Sequence, residues 1–259
     1  MLLLLLGLFL CPVKAESPLL SVRSGDLPLL IVAGHGGKLV LPGAAVRDPD
    51  KINDPHFVLY GDAHTNELAS ELTSALALKV GDGRRPSLIL NLAHRRYADV
   101  NRTPELTSHD SVGVAHHAAF HQAIDQELER LVAAHGWALL LDLHGQAHYQ
   151  TTLLLGTGNR SELTPWSVEA LWGEQGMVAG LKNAGYTVEP TSPDGQQRYG
   201  GGYTIRHHGE KPSVEAWQME HSRAIRDSEE ARSQYLQSLA DALARTLKNP
   251  PPYAAQTRK

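Results

Sequence analysis

Short apolar runs alternate along this chain with longer stretches in which apolar residues recur every three or four positions. Residues 29–33 (LLIVA) predict a buried strand that runs into Gly34-His35-Gly36-Gly37. Residues 67–80 predict a helix, with Asp62 and Thr65 just ahead of it. Residues 88–90 are strand-like. From 114 to 135, Phe120, Ile124, Leu128, Leu131 and Val132 share one helical face, and Gly136 marks the stop. Residues 138–143 (ALLLDL) form the clearest strand and lead straight into His144-Gly145. Further strands are expected at 152–155, 186–190 and 214–219, with a helix at 168–182 closed by Gly185. Asp227 with Glu230 predicts a capped start for a last helix carrying Tyr235, Leu239, Leu243 and Leu247 on one face. The Pro-containing segment 249–259 reads as a loose tail. This alternation predicts an α/β fold of three layers, α/β/α, around a mixed central sheet. Such sheets place their chemistry at the carboxyl ends of strands.

The first ten residues, MLLLLLGLFL, break this pattern. The run falls short of the roughly 20 residues a membrane-spanning helix needs. With small residues at Val13 and Ala15, it reads as a signal peptide over 1–15, although a buried N-terminal element would share the composition. One catalytic domain over 16–248 is then expected, exported to a periplasmic or secreted location with no stable membrane anchor after cleavage. Cleavage would also remove Cys11, the one cysteine, which suits an oxidising compartment.

Composition narrows the function. The 259 residues carry 24 Lys and Arg against 28 Asp and Glu, a net charge of -4, with 42% hydrophobic residues. That is too apolar for a disordered tail and lacks the basic footprint of a nucleic-acid binder. Fourteen histidines stand against one cysteine, so a bound metal would be held by imidazole and carboxylate rather than thiolate.

The residues that follow the apolar strands supply such a set. His35 follows LLIVA, His144 follows ALLLDL, and Glu220 ends VEAWQM. Asp62 stands before the 67–80 helix, where the free amides of a first turn favour a carboxylate. Two imidazoles and a carboxylate with an open position are the ligands of a catalytic zinc, and Glu220 would move the protons. Zinc lowers the pKa of bound water to about 7. Asp62 reads equally well as a helix cap, and His35 as an ordinary turn residue. Asp142 shares a strand face with His144 and is placed to orient it. The run Arg95-Arg96-Tyr97-Ala98-Asp99-Val100-Asn101-Arg102 offers an amide and a guanidinium to one anion, or else is a solvated basic loop with an Asp99 salt bridge.

Taken in order, these pieces resemble the N-formylglutamate amidohydrolases, a family related in fold to the zinc carboxypeptidases. The resemblance rests on Gly34-His35-Gly36-Gly37, on Asp62 in GDAHTNELA and on Asp99-Val100-Asn101-Arg102. It continues through Asp142-Leu143-His144, Gly201-Gly202-Tyr203 with His208-Gly209, and Gln218-Met219-Glu220. It implies a zinc-carboxypeptidase-like (phosphorylase/hydrolase-like) fold, Zn2+ on His35, Asp62 and His144, and Glu220 as general base. His64 and Glu67 compete with Asp62 for the second ligand position. The resemblance further implies that Asn101 and Arg102 hold a substrate carboxylate and that Arg95 or Arg96 polarises the scissile carbonyl or holds a second carboxylate.

The expected activity is zinc-dependent hydrolysis of an amide next to a free carboxylate, in a small N-acyl amino acid or short peptide. An export signal, and Gly34 where the family commonly has Pro, loosen the substrate from N-formylglutamate itself. The alternatives are an exported metallocarboxypeptidase or γ-glutamyl or cell-wall peptide hydrolase, and a non-catalytic metal-binding domain. His116, His117 and His121 are expected to be surface or packing residues.

Overall fold

A computed structural model describes residues 19–158 and 163–255. The expected signal peptide, with Cys11, and the last residues of the tail lie outside these. Seven strands form one mixed sheet: β1 (Leu20–Arg23), β2 (Leu29–Ala33), β3 (Ser87–Asn91), β4 (Ala138–Gly145), β5 (Leu153–Gly156), β6 (Val188–Glu189) and β7 (Val214–His221). Their order is β1-β3-β2-β4-β7-β5-β6. β3, β2, β4 and β7 run parallel, β1 is antiparallel to β3, and β5 is antiparallel to β7. Every residue of β2 is buried, as expected for a strand covered on both faces.

The alternation along β2 assigns the layers. Leu29, Ile31 and Ala33 pack in the larger core with α1 (Thr65–Val80) and α8 (Glu229–Lys248), through Leu68, Leu72, Tyr235 and Leu239. Leu30 and Val32 pack on the other face with Phe120, Ile124 and Leu128 of α3 (Ser111–His135). The three-layer α/β/α arrangement with a mixed sheet is therefore the one the pattern predicts.

Several elements differ from expectation. The helix expected at 168–182 is two helices, α4 (Pro165–Trp172) and α5 (Met177–Asn183). Gly173 and Gly176 between them are poor helix formers, and the chain turns there. The last helix is capped by Ser228, whose side chain accepts from Ala231 N, while Asp227 pairs with Arg223. Three short helices went unpredicted: α2 (Pro104–Thr107), α6 (Tyr203–Gly209) and α7 (Arg223–Arg226). The tail is not loose up to Ala255. A 3-10 turn at Pro252–Ala255 docks Tyr253, whose hydroxyl donates to Glu215 Oε1 at 2.6 Å, and Trp166 Nε1 donates to Asn249 O at 2.7 Å. No helix among the described residues is long and apolar enough to cross a membrane.

Candidate metal centre

His35 leaves the carboxyl end of β2 in a turn that α1 approaches closely. A methyl group at Gly36 would collide with Asn66 at the start of α1, so that position takes glycine. Asn91 fixes the turn from below: its Nδ2 donates to Gly34 O at 2.7 Å. The segment before α1 then pairs directly with the turn, Asp62 N donating to His35 O at 2.9 Å.

The Asp62 side chain points across to β4. Its Oδ2 lies 3.0 Å from His144 Nδ1 and 3.4 Å from His35 Nδ1, and accepts from Gly145 N at 3.1 Å. His35, Asp62 and His144 bring one donor atom each to within 4.8 Å of one another. Bonds of 2.0–2.2 Å to a tetrahedral zinc put ligand atoms about 3.3 Å apart, so the spacing fits that ion. His35 Nδ1 is buried and takes no hydrogen bond, which leaves its lone pair free for a cation.

Asp62 is therefore not a helix cap. The cap position of α1 belongs to His64, in the left-handed region at φ 64°, and no side chain caps the helix. His64 and Glu67 turn away from the cluster: His64 Nδ1 lies 3.9 Å from Glu67, which binds Lys38 at 3.0 Å.

Both imidazoles have a carboxylate behind them. His35 Nε2 donates to Asp99 Oδ1 at 2.7 Å, and His144 Nε2 donates to Asp142 Oδ2 at 3.0 Å. Such partners orient a ligand ring and leave its other nitrogen basic. Burial works against the charged forms, yet the charges prevail. Burial raises Asp62 and Asp99, but the neighbouring imidazoles, with Arg95 at Asp99, hold both carboxylates well below their ordinary range. Burial lowers His144, but Asp142, Asp62 and Glu220 hold its proton affinity well above the ordinary value. A site that concentrates negative potential on two imidazoles suits a divalent cation.

Glu220 stands on β7 directly beside His144 on β4, in parallel register. Burial pushes its pKa up to about 7 against the pull of His144. Gln218 Nε2 donates to its Oε1 at 2.8 Å, and Gln218 Oε1 accepts from Gly202 N at 2.6 Å. Arg95 is buried next to this group: Nε and Nη2 hold Asp99 Oδ2 at 2.8 and 2.7 Å, and Nη1 lies 3.9 Å from Asp62 Oδ1. Arg96 is exposed.

Asn101 and Arg102 do not stand open as a carboxylate clamp. Asn101 lies behind His144, with Nδ2 3.1 Å from His144 Nε2 and Oδ1 accepting from Thr204 N at 3.0 Å. A side chain at Gly202 would overlap Asn101, so glycine there lets α6 close over it. Arg102 donates from Nε to Asp54 Oδ2 at 2.7 Å and from Nη2 to His56 O at 2.9 Å.

The residues that sequence reasoning missed are supports. Asp99 forms the salt bridge expected of it, to Arg95, and its bond to His35 is the part the sequence does not mark. Arg226 bridges three carbonyls, of His221, Ala63 and Gln146, and ties α7 to the loops around the cluster. Nothing local in the sequence marks it. His116, His117 and His121 are all buried and hydrogen-bonded, to Asn91 Oδ1, Arg102 O and Val100 O respectively.

The sequence model of the N-formylglutamate amidohydrolase family matches residues 111–225. That span holds Asp142, His144, Gln218 and Glu220, and leaves out His35 and Asp62. Among curated proteins none matches the chain in sequence. Among solved structures, the chain is similar to an N-formylglutamate amidohydrolase from Ralstonia eutropha JMP134, with 18% identity and a TM-score of 0.58. That likeness covers 88% of this chain and 97% of the other. A gene product of Agrobacterium tumefaciens is similar with 16% identity and a TM-score of 0.60, over 91% of this chain and 96% of the other. The resemblance to the family thus extends from the ordered motifs to the fold.

Proposed function

We propose that this protein is a zinc-dependent amidohydrolase that cleaves a C–N amide bond in a small N-acyl amino acid, with N-formylglutamate and related compounds as the substrate class. The observation that carries the reading is the convergence of His35 Nδ1, Asp62 Oδ2 and His144 Nδ1 beside Glu220. The family match over 111–225 supports amide chemistry at that position.

His35, Asp62 and His144 would hold the zinc, which when bound supplies a Lewis acid and makes a water more acidic. The chain's own residues do the rest. Glu220, with a pKa near 7, accepts a proton from the attacking water and returns it to the departing nitrogen. Gln218 keeps the Glu220 carboxylate oriented toward the cluster. Arg95, fixed by two bonds to Asp99, is the cation beside Asp62 that meets charge developing on the carbonyl oxygen. Asp99 and Asp142 hold the ligand rings in one tautomer. Arg102 is left outside this scheme, because a substrate carboxylate would have to displace Asp54 to reach it.

The test is zinc content by elemental analysis, followed by hydrolysis of N-formyl, N-acetyl and γ-glutamyl amino acids and of peptides with a free carboxyl end. Hydrolysis of acyl amino acids that stops on chelation and returns with zinc supports the reading. Turnover confined to peptides would make the protein a metallopeptidase instead, and zinc binding without turnover of any arm would make it a metal-binding domain. Export is part of the proposal and rests on the apolar run at 1–10. Sequencing the N-terminus of the protein recovered outside the cytoplasm checks it.

A further inference from the structure

A second group of donors lies on the α3 side of the sheet. His208 on α6 is fully buried, and its Nε2 is 2.9 Å from His121 Nδ1. His121 Nε2 is in turn 2.8 Å from the Val100 carbonyl oxygen. The protons in this chain can be assigned. A carbonyl only accepts, so His121 Nε2 carries the hydrogen. Nδ1 of neutral His121 is then a lone pair, and His208 Nε2 must donate to it. Neutral His208 is left with a bare Nδ1.

That bare nitrogen faces a carboxylate. His208 Nδ1 lies 2.8 Å from Asp125 Oδ1, and both atoms are buried without a satisfied hydrogen bond. Two lone pairs at that distance repel unless a cation joins them: a proton on His208, or a metal ion in place of the Lys211 ammonium that stands 2.9 Å from the same oxygen. His207, the preceding residue and exposed, brings a third donor atom, and all three lie within 4.8 Å of one another.

We propose that Asp125, His207 and His208 form a second zinc-class divalent metal site, distinct from the His35 cluster. The His208 ring is already oriented as metal-bound imidazoles are, its second nitrogen donating to a fixed partner. Two imidazoles and a carboxylate are a ligand set suited to zinc. Lys211, 2.9 Å from Asp125 Oδ1, occupies part of the space. Its side chain is 31% exposed and can swing out into solvent when the ion enters. A metal here staples α6 to α3. Since Thr204 N of α6 holds Asn101 behind His144, the staple would stiffen the support of the first site without touching substrate.

The experiment strips the whole protein with a chelator, then counts bound Zn2+ by equilibrium dialysis at micromolar free metal. His207→Ala and Asp125→Asn/His207→Ala are each expected to bind one zinc fewer per chain than the wild type. His144→Ala should lose a different zinc, so the two sites succeed or fail separately. His207 is exposed, so its substitution keeps the test valid if the double variant does not fold. Lys211→Met should bind the second zinc about tenfold more tightly, through loss of a nearby positive charge. Equal zinc counts in the wild type and His207→Ala would overturn the proposal. So would a 15N NMR signal showing His208 as a protonated imidazolium in the zinc-loaded protein.

Discussion

Buried histidines fall into two kinds here, and what stands behind each ring separates them. His35 and His144, at the carboxyl ends of β2 and β4, are backed by Asp99 and Asp142. His116 and His221 are equally buried but have neutral partners, the Asn91 amide oxygen and the His144 carbonyl. Burial pushes His116 down to about 4 and His221 to about 3, while the carboxylates around His144 hold it up. A buried imidazole with only neutral partners is an uncharged packing group. One with a carboxylate partner is electron-rich and ready for a cation. Count and burial do not tell the two apart; the second partner does.

The comparison breaks first at His144. If it is a zinc ligand, His144→Ala loses the metal and about 10^3-fold or more in kcat/KM, read by elemental analysis and acyl amino acid hydrolysis. Glu220→Gln should keep the zinc and lose about 10^2- to 10^4-fold in kcat. The same residue sets the pH response. As the base, Glu220 must be unprotonated, so kcat/KM falls on the acid side as it takes up its proton, and a bound cation draws that fall below the metal-free value of about 7. Metal-free protein shows the opposite sense in stability. The folded pKa lies above the ordinary 4.5, so this group's contribution is complete below pH 4.5 and is lost as pH rises through about 7. Urea unfolding of the metal-free wild type and Glu220→Gln across pH 5–8 should show the wild type losing stability with pH relative to the variant, since the histidines that titrate there are common to both. Asp142→Asn and Asp99→Asn are expected to weaken zinc binding 10- to 100-fold. His116→Gln is the control from the other class: it costs about 1–3 kcal/mol in stability by disturbing the buried bond to Asn91 and lowers zinc affinity less than Asp142→Asn or Asp99→Asn does.

Strand ends were legible because apolar runs stop sharply at His35 and His144, and the layered fold followed from alternation alone. Asp62 was nameable but not assignable. Its distance from His35 along the chain hides a backbone bond between Asp62 N and His35 O that only the folded turn creates. Arg95 and Arg96 are chemically alike in sequence, and burial against Asp99 separates them. Arg102 read as a free cation because its partner, Asp54, lies far upstream in an irregular segment with no periodic signal. The α3 histidines read as ordinary because a helical face shows which residues are buried and not what their ring nitrogens meet.

The parallel pairing of β4 and β7 sets His144 and Glu220 side by side at the spacing of neighbouring strands, about 4.8 Å. The proposed base and ligand thereby share one backbone ladder, and no hinge lies between them. Loops around 147–151 and 191–199 are bound by no such ladder and are largely exposed. New substrates can be tried on those loops, by insertion or replacement, while the cutting edge stays in register beneath them.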